Sequence, residues 1–239
     1  MLFAAGLGTR LRPLTNDRPK ALVPVAGIPL LELTLRKLKH FGFSEVVINL
    51  HHFGEKIIDF LDQHKNFGLD IHLSDERDLL LNTGGGLKKA AQWLKDGPFL
   101  VHNTDVITNL DLNALLEYHQ NSEALATLAV RTRNTSRHLL FDEENTLCGW
   151  RNNNTGQVRN CRACAKVQPL AFSGIHVLSP DIFDLMPEEK VFSIIDVYLN
   201  AGRQHDIKAF PHEKGFWFDV GKIPQLERAA PYVKQLPLA

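Results

Sequence analysis

Short apolar runs alternate with amphipathic stretches along the first half of the chain. Met1–Ala5 is apolar up to Gly6 and predicts a buried strand. Within Pro29–Phe41, Leu31, Leu35 and Leu38 recur at helical spacing, and Gly42 stands where a C-terminal cap belongs. Glu45–Leu50, built on Val46, Val47 and Ile48, predicts the next strand. Ile57, Ile58 and Leu61 mark a second helix, Asp70–Leu73 a short strand, and Leu87, Ala90, Ala91 and Leu94 a third helix. Pro98–His102 predicts a further strand, and Asp111 is the expected N-cap of a helix through Leu115 and Leu116. Repeated strand–helix–strand units call for a largely parallel sheet with helices on both faces. Ligands of such sheets bind beyond the carboxyl ends of the strands.

The pattern changes near Ala124. Ala124–Arg131, His138–Phe141 and Thr146–Trp150 read as strands without long helices between them, and the acidic turn Asp142-Glu143-Glu144-Asn145 joins two of them. Arg151–Lys166 is polar and rich in Asn, which predicts a loop. A strand returns at Leu170–Val177, and helical patterns follow near Pro180–Met186, Phe192–Ala201 and Pro224–Lys234. The expectation is one α/β domain over 1–239. It divides into a half of alternating strands and helices, 1–123, and a β-rich half, 124–239.

Charge narrows the partners. The 27 Lys and Arg balance the 27 Asp and Glu. A general polyanion binder shows a basic excess, so nucleic acid is not expected, whereas a polyphosphate ligand needs only a few local cations. No run approaches the roughly 18 to 20 apolar residues of a membrane helix, and no charged leader opens the chain, which therefore reads as cytoplasmic. The cysteines are Cys148, Cys161 and Cys164. An odd count without an export signal argues against a disulfide framework, and a single C-x-x-C lacks the second pair of a zinc site.

The candidate chemistry begins at Gly6-Leu7-Gly8-Thr9-Arg10-Leu11-Arg12-Pro13, followed by Pro19-Lys20. Glycines after a strand let backbone N–H groups approach phosphate oxygens, and Arg10 and Lys20 add charge to such a cradle. A dinucleotide fingerprint needs a third glycine where this chain has Leu11. It also needs an acidic residue after the second strand, where the chain reads Asn49-Leu50-His51-His52. A Walker loop needs a Gly-Lys-Ser or Gly-Lys-Thr ending, which neither glycine cluster has.

The stretch Ala4-Ala5-Gly6-Leu7-Gly8-Thr9-Arg10-Leu11-Arg12-Pro13-Leu14-Thr15, with Pro19-Lys20 and Pro24-Val25-Ala26-Gly27, resembles the sugar-1-phosphate nucleotidyltransferases. The resemblance implies a Rossmann-like three-layer α/β/α fold with a mainly parallel mixed central sheet and a β-rich sugar-binding portion. It makes 1–123 the nucleotide-binding half and 124–239 the sugar-phosphate-binding half, and places Ala5, Gly6, Gly8, Thr9, Arg10 and Lys20 at the nucleotide, with Arg10 and Lys20 catalytic.

The other motifs agree with this family. Asn82-Thr83-Gly84-Gly85-Gly86 resembles the Glu-Thr-Gly-Gly-Gly turn of small N-acetylmuramate 1-phosphate uridylyltransferases. By that likeness Asn82, Thr83, Gly84 and Gly85 contact the nucleobase. Asn103-Thr104-Asp105 takes the place of a triplet whose Asp binds metal, and Trp217-Phe218-Asp219-Val220-Gly221 resembles a second metal-binding stretch. Asp105 and Asp219 are therefore the expected ligands of Mg²⁺. Their competing readings are a turn residue and a helix N-cap. Gly174, in Phe172-Ser173-Gly174-Ile175, and Trp217 are the residues assigned to the sugar phosphate. The implied partners are an NTP (UTP or GTP) and a sugar 1-phosphate, N-acetylmuramate-like with UTP or mannose- or heptose-like with GTP. No C-terminal β-helical domain is expected.

Overall fold

The computed structural model describes residues 1–238. They group into two compact units that are discontinuous along the chain. One gathers Met1–Leu80, His102–Leu110 and Gly215–Ala239, and the other Leu81–Val101 and Asp111–Lys214.

The first unit carries the parallel sheet. The strand Leu2–Phe3 lies between two parallel neighbours. Leu2 and Phe3 pair with Ile48 and Asn49 of the strand Glu45–Leu50 on one side, and with His102 and Asn103, the end of the strand Phe99–Asn103, on the other. The strand Asp70–Asp75 extends the sheet beyond Glu45–Leu50, also in parallel. The first strand is shorter than the apolar run predicts. Ala4 and Ala5 leave the ladder because their amides turn to the side-chain oxygen of Asn49 at 2.7 and 3.3 Å. The helix Leu30–His40 buries Leu31, Leu35 and Leu38, as their spacing requires. Gly42, at φ 86°, ends it in the left-handed conformation that glycine adopts without cost. The core of this unit joins distant parts of the chain. Leu11, Val23, Leu30 and Leu33 pack with Ile107, Phe216, Val220, Leu226 and Val233.

The second unit is mixed. The strand Ala126–Arg131 runs parallel to Ile207–Pro211 and antiparallel to Gln168–Leu178. Arg137–Phe141 and Leu147–Asn152 form a hairpin over the acidic turn, where Asn145 takes φ 60° and Asp142 accepts from the amides of Glu144 and Thr146. Asp111 caps the helix Leu112–Ser122, its carboxylate accepting from the amides of Asn113 and Ala114 at 2.9 and 3.1 Å.

Two expectations fail in this unit. Arg151–Lys166 is not all loop. The strand continues to Asn152, turns through Gly156 at φ 73°, and returns as Val158–Asn160, so polar side chains cover an exposed hairpin. The same return brings Cys164 back to Cys148, and the two are joined by a disulfide. The odd count was a poor guide because one cysteine is simply left over. That residue is Cys161, half-buried, with its thiol pKa pushed up by burial.

Candidate active site

The first unit assembles most of the predicted residues through a closed circuit of contacts. Gly8 starts it. Its φ of 64° suits glycine, and a methyl group there would fall 2.9 Å from Thr15 Cγ2 and 3.1 Å from Lys20 Cβ. Its carbonyl accepts from Thr15 Oγ1 at 2.9 Å and from the amide of Leu11 at 2.9 Å, which turns Thr9–Leu11 into a short 3-10 helix. The chain thus folds back so that Lys20 lies beside the glycine loop. Gly6 differs, because a methyl group there would meet nothing within 4 Å. Protein packing does not use that space, and it is open to a ligand.

Lys20 is mostly buried, and its ammonium makes an ion pair with Asp105. Asp105 lies in the two-residue turn between the strands Phe99–Asn103 and Val106–Thr108, beyond the carboxyl end of the first of them. Its backbone carbonyl accepts from the amide of Val220 at 2.9 Å. The strand Trp217–Asp219 pairs antiparallel with Val106–Thr108, and Asp219 stands opposite Val106. The two carboxylates therefore occupy adjacent register positions. The helix-cap alternative for Asp219 is ruled out by position, since Lys222 holds the N-cap of the helix Ile223–Ala229. Gly221 completes the circuit. A methyl group on it would lie 2.9 Å from Arg10 Nη2 and 3.0 Å from Asp219 Oδ1, so the guanidinium and the carboxylate flank the same glycine.

This set has two cations and two carboxylates beside an open glycine loop. Two carboxylates at adjacent register positions are of the donor type that Mg²⁺ takes from proteins. Sequence reading passed over Gly221, Thr15 and Asn49. Asn49, a polar residue inside the apolar run Val46–Leu50, is only 3% exposed.

The remaining predicted residues, apart from Trp217, lie in the second unit. Asn82–Lys89 is a helix, so the glycine triplet opens it instead of preceding it. Asn82 is exposed at φ 63°, and its side chain accepts from the amide of Thr83. Gly84 and Gly85 are buried for a local reason. Their amides donate to the Phe192 carbonyl at 2.9 and 3.3 Å, and a methyl group on Gly85 would fall 2.0 Å from the Lys190 carbonyl oxygen. Thr83 Oγ1 accepts from the amide of Ile194 at 3.0 Å. Gly174 is buried at φ 76°, in the irregular register between Phe172 and His176. Trp217 is half-buried and belongs to the first unit, opposite Thr108.

A family model described as nucleotidyl transferase matches residues 1–142. This chain belongs to the nucleotidyltransferase family. The nucleotidyltransferase is 34% identical over 236 residues to the N-acetylmuramate alpha-1-phosphate uridylyltransferase of Neisseria meningitidis serogroup B, covering 96% of this chain and 95% of that protein. It is also 34% identical to the enzyme of the same description from Caulobacter vibrioides, over 96% and 94% of the two chains. Its fold matches that of UDP-glucose pyrophosphorylase from Acinetobacter baumanii with a TM-score of 0.78 at 19% identity, over 97% and 91% of the chains. The Rossmann-like α/β class with a mixed, mostly parallel sheet is therefore the fold of this nucleotidyltransferase, as its sequence led us to expect. Among the described residues, no helix is long and apolar enough to cross a membrane.

Proposed function

We propose that this nucleotidyltransferase joins an NTP to a sugar 1-phosphate, forming an NDP-sugar and releasing pyrophosphate. The observation that carries this reading is the circuit Gly8–Lys20–Asp105–Asp219–Gly221–Arg10 at the end of a parallel strand. A phosphate oxygen of the sugar 1-phosphate attacks the α-phosphorus in line, and the bond from the α-phosphorus to the pyrophosphate oxygen breaks. No group of the enzyme needs to form a covalent intermediate.

The barrier is largely electrostatic, because two anions must meet. At about 4 Å and an effective dielectric near 20, a unit charge pair interacts by roughly 4 kcal/mol, and each 1.36 kcal/mol is about tenfold in rate. Arg10 offers a planar fork to the polyphosphate, and Lys20 a compact charge on a flexible stem. Asp105 and Asp219 are the residues that would hold Mg²⁺, and the ion when bound neutralises phosphate charge. Lys20 makes an ion pair with Asp105, and its Cβ lies 3.1 Å from where a methyl group on Gly8 would stand, so the side chain adjoins both the carboxylate and the glycine loop.

Within this reaction, UTP and an N-acetylmuramate-like sugar 1-phosphate are the favoured pair. Two relatives that match this chain nearly end to end carry that description. Pyrophosphate release tests both levels. UTP, GTP, CTP and dTTP are each assayed with Mg²⁺ against a panel of sugar 1-phosphates. Release that requires both substrates is the expected result, fastest with UTP and N-acetylmuramate 1-phosphate. Binding of nucleotide without release from any pair would overturn the catalytic reading.

A further inference from the structure

A buried side-chain relay ends on the backbone just before the glycine loop. Asn49 closes the strand beside Leu2–Phe3, and its side-chain oxygen accepts from the amides of Ala4 and Ala5 at 2.7 and 3.3 Å. Its amide nitrogen donates to Glu76 Oε1 at 2.7 Å. Asn49 and Glu76 are 3% and 1% exposed. Glu76 is in turn fixed along its own backbone. Its amide donates to the Leu50 carbonyl at 2.7 Å, and its carbonyl lies 2.8 Å from His51 Nδ1. The acceptor position of Glu76 Oε1 leaves Asn49 only one amide orientation, the one that aims its oxygen at Ala4 and Ala5.

We infer that Asn49 and Glu76 are positioning residues for the nucleotide loop. They draw the chain out of the strand at Ala4–Ala5 and so set where Gly6 and Gly8 present their backbone to phosphate. The assignment of a phosphate ligand rests on the function proposed above, whereas the relay itself rests on the hydrogen bonds alone. Both act through the backbone of Ala4 and Ala5. Only Gly6 and Leu7 lie between Ala5 and Gly8, so a shift at the strand end passes directly into the loop.

The test exploits the polarity of the relay. Asn49→Asp removes the donor and sets two carboxyl groups against each other. The double variant Asn49→Asp with Glu76→Gln restores one donor, now pointing from Gln to Asp, while an Asp oxygen still accepts from Ala4 and Ala5. Amide hydrogen exchange of the N-terminal segment is measured in the wild-type chain and both variants, together with the Kd for UTP and the KM and kcat of pyrophosphate release. Asn49→Asp is expected to lose protection at Ala4 and Ala5 and to weaken UTP binding by about tenfold to a hundredfold, with KM rising more than kcat falls. The double variant is expected to regain most of both. Unchanged protection in Asn49→Asp, or no recovery in the double variant, overturns the relay. Lost protection with an unchanged UTP Kd overturns its role in the site. If the wild-type chain binds no UTP, the exchange arm still decides the relay and only the functional reading fails.

Discussion

At the scale of single residues, the candidate site turns on two cations set beside two carboxylates. Asp105 is paired with Lys20, and Asp219 shares Gly221 with Arg10. Replacing Asp105 by Ala is expected to cut kcat by about a hundredfold or more while weakening NTP binding far less, because the loss falls on charge that develops in the transition state. Arg10→Ala should damage both kcat and nucleotide affinity, since its fork serves ground and transition states alike. Steady-state kinetics with direct NTP titration separates the two patterns. Equal turnover in Asp105→Ala and the wild-type chain would remove the metal assignment. Arg10 and Lys20 were legible as a charged cradle from residue types and spacing, whereas Asp105 and Asp219 were legible only through the family resemblance of their stretches. Asn49 was not legible as a functional residue, because one amide in an apolar strand reveals neither its orientation nor its partner 27 positions away.

At the scale of elements, periodicity located the α-helices and most of the longer strands, but not the strands Val106–Thr108, Ile207–Pro211 and Trp217–Asp219, which carry too few alternating positions to stand out. The strand Glu45–Leu50 and the Asp111 cap stand where the pattern put them. The first strand is cut to Leu2–Phe3 by the Asn49 side chain, and the polar Arg151–Lys166 stretch conceals a hairpin because an exposed edge needs no apolar face. The glycine triplet shows how one sequence feature serves packing. Gly85→Ala drives a methyl group against the Lys190 carbonyl, a backbone atom with little freedom to retreat. A loss of about 2–3 kcal/mol and a melting point lower by about 5–10 °C are expected, measured by thermal denaturation. The Cys148–Cys164 bridge spans a sequence separation of 16. By loop closure it is worth at most about 3 kcal/mol, so Cys164→Ser should lower the melting point under non-reducing conditions, while Cys161→Ser should leave it nearly unchanged.

At the scale of the whole molecule, stability should fall in acid for a reason buried in the second unit. His176 is 1% exposed, with Tyr198 Oη 2.5 Å from its Nδ1, and burial holds its pKa down at about 3. His119 is shifted down by the same cause. The unfolded chain therefore binds protons that the folded chain refuses. Stability from these groups is complete above the unfolded histidine value near 6.5 and is lost as pH drops from there toward 3. Urea unfolding across that range is expected to give midpoints that fall steadily, and His176→Phe, if it folds, should flatten the trend. Fold class was readable at this scale because strand–helix alternation is a repeated signal. The division into units was not, because it depends on which distant segments share a core.

That shared core sets an order of events during synthesis. Leu11, Val23 and Leu30 are made early, yet the residues that bury them include Phe216, Val220, Leu226 and Val233. Asp219 is delivered by the same late segment. A ribosome moving at about 5–20 residues per second would expose the glycine loop for roughly ten seconds or more before its covering segment emerges. The nascent chain must hold an incomplete hydrophobic surface for that interval. A chain ended at Lys214 should be recovered with chaperones or in the insoluble fraction, not as a partly active enzyme.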